Sequence, residues 1–250
     1  MVASVSSALS VPQRRLIPEG FHKKALCTET NPCIFVYIYN ACVIIFDRVM
    51  ELRYSAGRVE IDGKISTALD KFVIGFARLL EEHNIKYVIV SGYVAILFGR
   101  ARGTEDVDIL VERTDAPGFL SFYESALEHG YDFLNPEDAN GLYEMLCERF
   151  GIRAAEKDTV IPNMEVKFAK DDFDRYALSH RLEAVFNGGS IYISPIELQI
   201  PYKLYLGSEK DIEDAIYLWD IFKDKLDIKL LGRFMKELKV RGDAYGIVVR

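Results

Sequence analysis

Histidine and cysteine are too few and too scattered in this chain to build a metal centre from nitrogen and sulfur ligands. The four cysteines, Cys27, Cys33, Cys42 and Cys147, have neither the paired spacing of a zinc site nor a histidine beside them. A reducing, cytoplasmic setting is the simplest expectation. No apolar run reaches the roughly 20 residues of a transmembrane helix. The longest, Ile34 to Phe46, falls short, and the first twelve residues carry no positive side chain to start a secretory signal. No membrane partner is therefore expected. Positive charge is also scarce: 31 Lys and Arg face 38 Asp and Glu, a formal charge of −7. That balance argues against broad, sequence-independent nucleic-acid binding. A local basic groove built from Arg100, Arg102 and Lys203 remains compatible with it. Repeats and low-complexity segments are absent.

What is present is a chain of 250 residues, half of them hydrophobic, with ample material for a core. Its centre of interest is Lys86 to Glu112. Tyr87-Val88-Ile89-Val90 reads as a buried strand. Ser91-Gly92 breaks it, and Tyr93 to Arg100 reads as one short helix. A small, permissive turn between strand and helix leaves backbone N–H groups pointing outward, where they can hold a phosphate. After a loop comes Glu105-Asp106-Val107-Asp108-Ile109-Leu110-Val111. Side chains alternate along a strand, so Asp106 and Asp108 share one face while Val107 and Ile109 enter the core. Two ionised carboxylates on one face form the start of a magnesium site.

These residues resemble the DNA polymerase β-type nucleotidyltransferase superfamily: a hydrophobic strand, Gly with Gly or Ser, then Asp-hydrophobic-Asp. The longer string from Gly92 to Asp108, G-Y-x-A-x-x-x-G-R-x-R-x-T-E-D-x-D, is similar to the minimal nucleotidyltransferases of archaea and bacteria. That group includes the AbiEii-type toxins of toxin–antitoxin systems. Ser91 stands where the first glycine of the usual pair would be. The resemblance implies a third carboxylate on a neighbouring strand, and Glu165 in Asn163-Met164-Glu165-Val166-Lys167-Phe168 is the candidate, although Asp is commoner there. The alternative is an exposed Glu165–Lys167 strand face.

Ser194-Pro195-Ile196-Glu197 reads as a helix start, with a Ser cap and Pro at the first position. The string S-P-x-E-L…K-L…K-D-x-x-D, from Ser194 to Asp214, resembles the C-terminal motif of the same enzymes. There, the likeness implies, Lys203 and the acids Asp211 and Asp214 line the cleft. Lys203 can neutralise triphosphate charge, with Asp211 or Asp214 orienting it or a metal-bound water. The alternative is an acid pair at a helix start beside a surface lysine. Arg100 and Arg102 either reach the nucleotide or pair with acidic neighbours, and Thr104 can bond across the loop to hold the Asp106 strand.

The remaining pattern is α+β. A hairpin is expected over Leu52–Ile65 and a helix from Thr67 to His83, with His83 at its surface end. Helices are also expected from Asp115 to Gly130, from Asn135 to Phe150 and from Asp227 to Val240. A second hairpin turns at Asn187-Gly188-Gly189. The expected architecture is a polymerase β-like small mixed sheet with helices packed on it, residues 50–193, completed by a helical portion, 194–250. Residues 1–49 form an extension expected to lie outside the native protein, with Met50 as its start. The run Ile34–Phe46 reads otherwise as a strand or buried helix.

The expected reaction moves a nucleoside monophosphate from an NTP to an acceptor hydroxyl. Two Mg²⁺ ions, or Mn²⁺ in their place, would sit on Asp106, Asp108 and Glu165, and Ser91, Gly92, Arg102, Thr104 and Lys203 would serve the nucleotide. The acceptor is either an RNA or tRNA end, with a cognate antitoxin as partner, or a small molecule or protein. A non-catalytic nucleotide-binding module is the reading from another class.

Overall fold

Capping chemistry sets where most helices begin. Thr67 closes a capping box on α1 (Ala68–Glu82): its hydroxyl accepts from the Asp70 N–H at 3.1 Å, and Asp70 Oδ2 accepts from the Thr67 N–H at 2.9 Å. Asp115 caps α3 (Ala116–Glu128), Asp138 caps α4 (Ala139–Cys147) and Asp171 caps α5 (Asp172–Ser179). Ser208 and Asp227 do the same for α7 (Glu209–Phe222) and α8 (Ile228–Glu237). Two expected starts are corrected. The fourth helix begins at Ala139, not Asn135, because Asp138 is the residue whose carboxylate reaches back to a free N–H, that of Gly141. In α6 (Ile196–Leu206) Pro195 is the cap residue and Ser194 caps nothing. Glu197 instead accepts from the Asp227 N–H at 3.1 Å, tying α6 to the head of α8.

The computed structural model describes residues 50–55 and 57–249, together with the backbone of three earlier strands. Those strands are β1 (His22–Thr28), β2 (Asn31–Tyr39) and β3 (Cys42–Phe46), an antiparallel meander in which Tyr39 faces Cys42. Within the apolar run Ile34–Phe46, the described residues up to Tyr39 and from Cys42 are strand. The expectation that residues 1–49 are not native falls mostly on residues outside the described set.

The main sheet has nine strands in the order β4-β5-β11-β12-β6-β7-β10-β9-β8. They are β4 (Glu51–Ser55), β5 (Arg58–Asp62), β6 (Tyr87–Ile89), β7 (Asp106–Val111), β8 (Tyr131–Phe133), β9 (Ile152–Glu156), β10 (Asn163–Phe168), β11 (Leu182–Phe186) and β12 (Gly189–Ile193). Pairing is parallel for β5/β11, β12/β6 and β7/β10 and antiparallel elsewhere. The mixed sheet with packed helices is as expected, but it is larger than the small sheet foreseen, because β8 and β9 extend it beyond β10. The β11–β12 hairpin turns on Asn187 and Gly188, both at positive φ (52° and 76°), the geometry of a type I′ turn.

On one face, Val107 and Ile109 lie wholly buried with Phe76 and Phe122 in the larger core. Burying each such side chain is worth about 2 kcal/mol. On the other face a smaller cluster joins Val88 and Leu110 to Ala177 of α5, Leu198 of α6 and Phe234 of α8. This second cluster covers the sheet only up to Leu110, so the carboxylate end of the same β7 face is left for a cleft. A short helix, α2 (Gly92–Leu97), carries α7 against it: the Tyr217 hydroxyl donates to Phe98 O at 3.0 Å, and the Phe98 and Phe222 rings meet edge to face. Among the described residues no helix is long and apolar enough to cross a membrane.

Candidate active site

Strand periodicity puts Asp106, Asp108 and Leu110 on one face of β7, and the parallel register with β10 decides what stands beside them. Glu165 pairs with Asp108, and Asn163 with Asp106. Lys167, two residues beyond Glu165 on the same face, reaches between the carboxylates. Its Nζ lies 3.2 Å from Asp108 Oδ1 and 3.1 Å from Glu165 Oε2. Burial, with Glu165 as a like charge beside it, pushes the Asp108 carboxyl above the usual range, against the pull of Lys167. Burial works against the Lys167 ammonium, yet Asp108 and Glu165 outweigh it and raise its pKa. Gly151, ahead of β9, leaves room for this group: a Cβ there would come within 3.0 Å of Glu165 Oε1 and 3.1 Å of Lys167 Cε. Asp106 is held apart from the other two. The Thr104 hydroxyl donates to Asp106 O at 2.7 Å and lies 3.3 Å from its carboxylate. The bond spans only two residues and ties the end of the loop to the first residue of β7. Among the described residues, no group of three or more His, Cys, Asp or Glu side chains is gathered to hold a metal ion.

The turn between β6 and α2 is tight in backbone terms. Ser91 has φ +63° and ψ −137°, a region that suits glycine, and its side chain does not cap α2. Buried Gln199 of α6 donates from Nε2 to Ser91 O at 2.9 Å, fixing the turn from the far side of the sequence. Gly92 is required by close approach, because a Cβ there would sit 2.9 Å from Arg102 Nη2.

Arg102 is drawn to Gly92 by a buried carboxylate. Asp214, with no exposed side-chain surface, takes Arg102 Nη1 at 2.6 Å and Lys203 Nζ at 2.7 Å, and Arg100 abuts its other oxygen. Arg100 also pairs with Glu213 and donates to Lys210 O. Lys203, 1% exposed, divides its ammonium between Asp214 and Asp211 Oδ1 at 2.9 Å. Burial depresses the Lys203 pKa against the pull of Asp211, and neighbouring Arg102 adds to the fall. Burial opposes ionisation of Asp211, but the Ser208 hydroxyl and Lys203 outweigh it and hold its pKa low. The acids of α7 therefore orient the lysine and both arginines. Asp214 itself is wholly enclosed by its cations.

A cleft of about 280 Å³ opens over this surface. Its polar lining includes Ser91, Asp108, Lys167, Gln199 and Lys203, and its apolar lining Leu110, Phe173, Ala177, Leu198, Tyr202 and Leu206. Of the residues singled out in the sequence, Ser91, Asp108 and Lys203 line the cleft directly. Glu165 adjoins it through Lys167, and Gly92 and Arg102 lie together behind Ser91. The sequence reading placed Lys167 on the face of Glu165 but gave it no role, and it missed Gly151 and Gln199. Nothing local marks the other two.

No family model and no curated protein matches this chain. Among solved structures it is similar to an antigenic nucleotidyltransferase-like protein from Paracoccidioides brasiliensis, with 17% identity over 71% of this chain and 90% of that one and a TM-score of 0.45. It is similar also to the antibiotic-resistance factor ANT(2'')-Ia, with 14% identity over 72% of this chain and 97% of that one and a TM-score of 0.45. A third is the lincosamide antibiotic adenylyltransferase LnuA in its lincomycin-bound form, with 16% identity over 61% and 97% of the two chains and a TM-score of 0.42. The strand–turn–helix and the D-x-D strand that carry the resemblance to polymerase β-type nucleotidyltransferases stand side by side in this fold, with β6 paired to β7.

Proposed function

We propose that this chain is a nucleotidyltransferase that moves a nucleoside monophosphate from an NTP to an acceptor hydroxyl. The observation that carries the reading is the register of β7 against β10, which sets Glu165 beside Asp108 at the edge of a cleft that Ser91 and Lys203 also line. The residues suit a divalent cation in donor chemistry and in charge. All three carboxylates offer hard oxygen ligands, and Asp108 and Glu165 already grip one cation, the Lys167 ammonium. Asp108 and Glu165, which the register brings together, would hold Mg²⁺, and Asp106, tied to Thr104, would have to turn toward them to join as a third ligand. When bound, the metal supplies Lewis-acid polarisation of the phosphoryl oxygens and of the acceptor hydroxyl.

The chain's own groups supply the rest. The N–H groups at Ser91 and Gly92 cradle the triphosphate, in a turn locked by Gln199. Lys203, aimed by Asp211 and Asp214, balances negative charge as it gathers on the phosphates. The acceptor oxygen bonds to the α-phosphorus as the α–β bridging bond breaks. Pyrophosphate leaves with the electron pair, and the hydroxyl proton passes to the Glu165 carboxylate. Thr104 keeps Asp106 in line on its strand.

The test is incubation of the purified chain with α-labelled NTPs, Mg²⁺ and separate pools of total RNA, protein and small metabolites. Label transferred to any pool, and lost in Asp108→Asn with an unchanged circular dichroism spectrum, is the expected result. Full transfer by Asp108→Asn would overturn the mechanism. NTP binding without transfer to any pool would point to a non-catalytic nucleotide-binding module.

A further inference from the structure

Helix α6 presents two adjacent stripes to the cleft, and they differ in kind. Gln199 and Lys203, four apart, form a polar stripe turned toward the Ser91 turn and the acids of α7. Leu198, Tyr202 and Leu206, also four apart, form an apolar stripe beside it. Leu198 belongs to one apolar cluster with Phe173 and Ala177 of α5 and Leu110, and all four also line the cleft. Asp108 and Lys167, ion-paired to each other, also line the cleft. The polar half carries the Ser91 turn and the Lys203 ammonium.

The cleft also carries charge that the fold does not use. Arg149 and Lys170 line it, both exposed, and neither forms an ion pair among the described residues, while the Asp174 carboxylate, which accepts from the Lys170 N–H at 3.0 Å, lines it beside them. Two exposed cations against one carboxylate, beside an apolar wall, fit a ligand with an apolar body and an anionic group. The whole cleft measures about 280 Å³, so the part left beside a nucleotide suits only a small molecule. An RNA end would need a longer basic track than two side chains on a chain of formal charge −7.

We propose that the apolar half of the cleft is the acceptor subsite, and that the acceptor is a small hydroxyl-bearing molecule with an apolar body and one carboxylate or phosphate. The apolar body lies against Tyr202, Leu206 and the cleft-facing surface of the Leu198–Phe173 cluster, the anion meets Arg149 and Lys170, and the hydroxyl faces Asp108. This rests on the nucleotidyl-transfer reading.

The probe is 1-anilinonaphthalene-8-sulfonate, an aromatic body with one anionic group, titrated into the full chain. One-to-one binding is expected, weakened about tenfold by the paired change Arg149→Glu with Lys170→Glu, and lost in Ala177→Phe. Saturating ATP should leave the probe's affinity unchanged. Binding without stoichiometry, or indifferent to both variants, would overturn the subsite. So would competitive displacement by ATP, which would make this half the nucleobase pocket. Labelled transfer separates the two readings. Label in the small-metabolite pool, with the acceptor's KM raised about tenfold by the charge reversals and the NTP's KM unmoved, supports the subsite. Label in RNA alone, unaffected by the charge reversals, overturns it and leaves nucleotidyl transfer standing. Label in no pool overturns the transfer reading itself.

Discussion

Lys167 Nζ lies 3.2 Å from Asp108 Oδ1, so a side chain of the protein already stands as the counter-ion at the carboxylate proposed to hold metal. A divalent ion arriving at Asp108 and Glu165 must displace that ammonium or share its partners. Replacing Lys167 with Met removes the competitor and leaves two adjacent carboxylates without a cation. Mn²⁺ binding, followed by the loss of its free electron-paramagnetic signal, is expected to tighten about tenfold in Lys167→Met, a gain of about 1.4 kcal/mol. Weaker Mn²⁺ binding in the variant would mean that Lys167 positions the carboxylates and does not compete for them.

Asp214 has no exposed surface and faces three cations, one of which, Lys203, is itself 1% exposed. Neutralising the carboxylate strands those charges in a region that water reaches poorly. Asp214→Asn is expected to lose about 3 kcal/mol of stability, by the usual cost of breaking a buried ion pair. In thermal unfolding that is a fall of roughly 9 °C. Glu213→Ala removes a carboxylate that is 55% exposed, and should cost well under 1 kcal/mol. Equal effects from the two variants would show that Asp214 is not the centre of the cluster.

The acidic face of β7 was legible because strand alternation is strict: once Val107 and Ile109 are inside, Asp106 and Asp108 must be outside. The Thr67–Asp70 box and the Asn187-Gly188 turn were legible for the same local reason, since each is settled within four residues. Two strands were not. β8 has three residues, too few to show alternation, and in β9 Ala154 and Ala155 are both buried, which breaks the period. Glu165 could be assigned to a face but not to a partner, because the register of β10 against β7 is a tertiary quantity. Ser194-Pro195 read as a helix cap, yet Ser194 is buried, its hydroxyl is directed at Pro195 O, and Glu197 serves another helix. The destination of Arg102 was legible only as an alternative: it goes to Asp214, 112 residues away.

Ser91 and Gly92 invite opposite predictions from adjacent positions. Ser91 sits at φ +63° with ψ −137°, where a Cβ is strained by about 1–3 kcal/mol. Ser91→Gly relieves that strain at an entropic cost of about 0.5–1 kcal/mol, so a net gain of about 1 kcal/mol is expected. The thermal midpoint should rise by about 3 °C. Gly92→Ala instead drives a methyl against the Arg102 guanidinium, 2.9 Å away. That variant should fold but raise the KM for NTP, since Arg102 must leave its place behind the turn. A Ser91→Gly protein no more stable than the parent would mean that the turn relaxes in solution.

Asp70 gives the pH prediction, with a sign fixed by its surroundings. The side chain is fully buried, paired to Lys64 at 3.0 Å, and accepts from the Tyr93 hydroxyl at 2.7 Å and from the Thr67 N–H. Burial alone would raise its pKa, but the Thr67 N–H, the Tyr93 hydroxyl and Lys64 together outweigh it and hold the folded value below the ordinary one. The unfolded chain then binds more protons than the folded one between the two values, so stability rises with pH in that window. The contribution is complete above about pH 4, where a free aspartate titrates, and drains away as pH falls through the folded value. Asp70→Asn should therefore cost about 3 kcal/mol at neutral pH and flatten the acid limb of urea unfolding measured between about pH 4 and pH 2. Since Tyr93 belongs to α2 and Thr67 to the head of α1, the same variant should loosen the packing of the helix that follows the Ser91 turn. Amide exchange at Val94 to Leu97 faster than in the parent would register it, whereas an acid limb as steep as the parent's would exclude Asp70 as the titrating group.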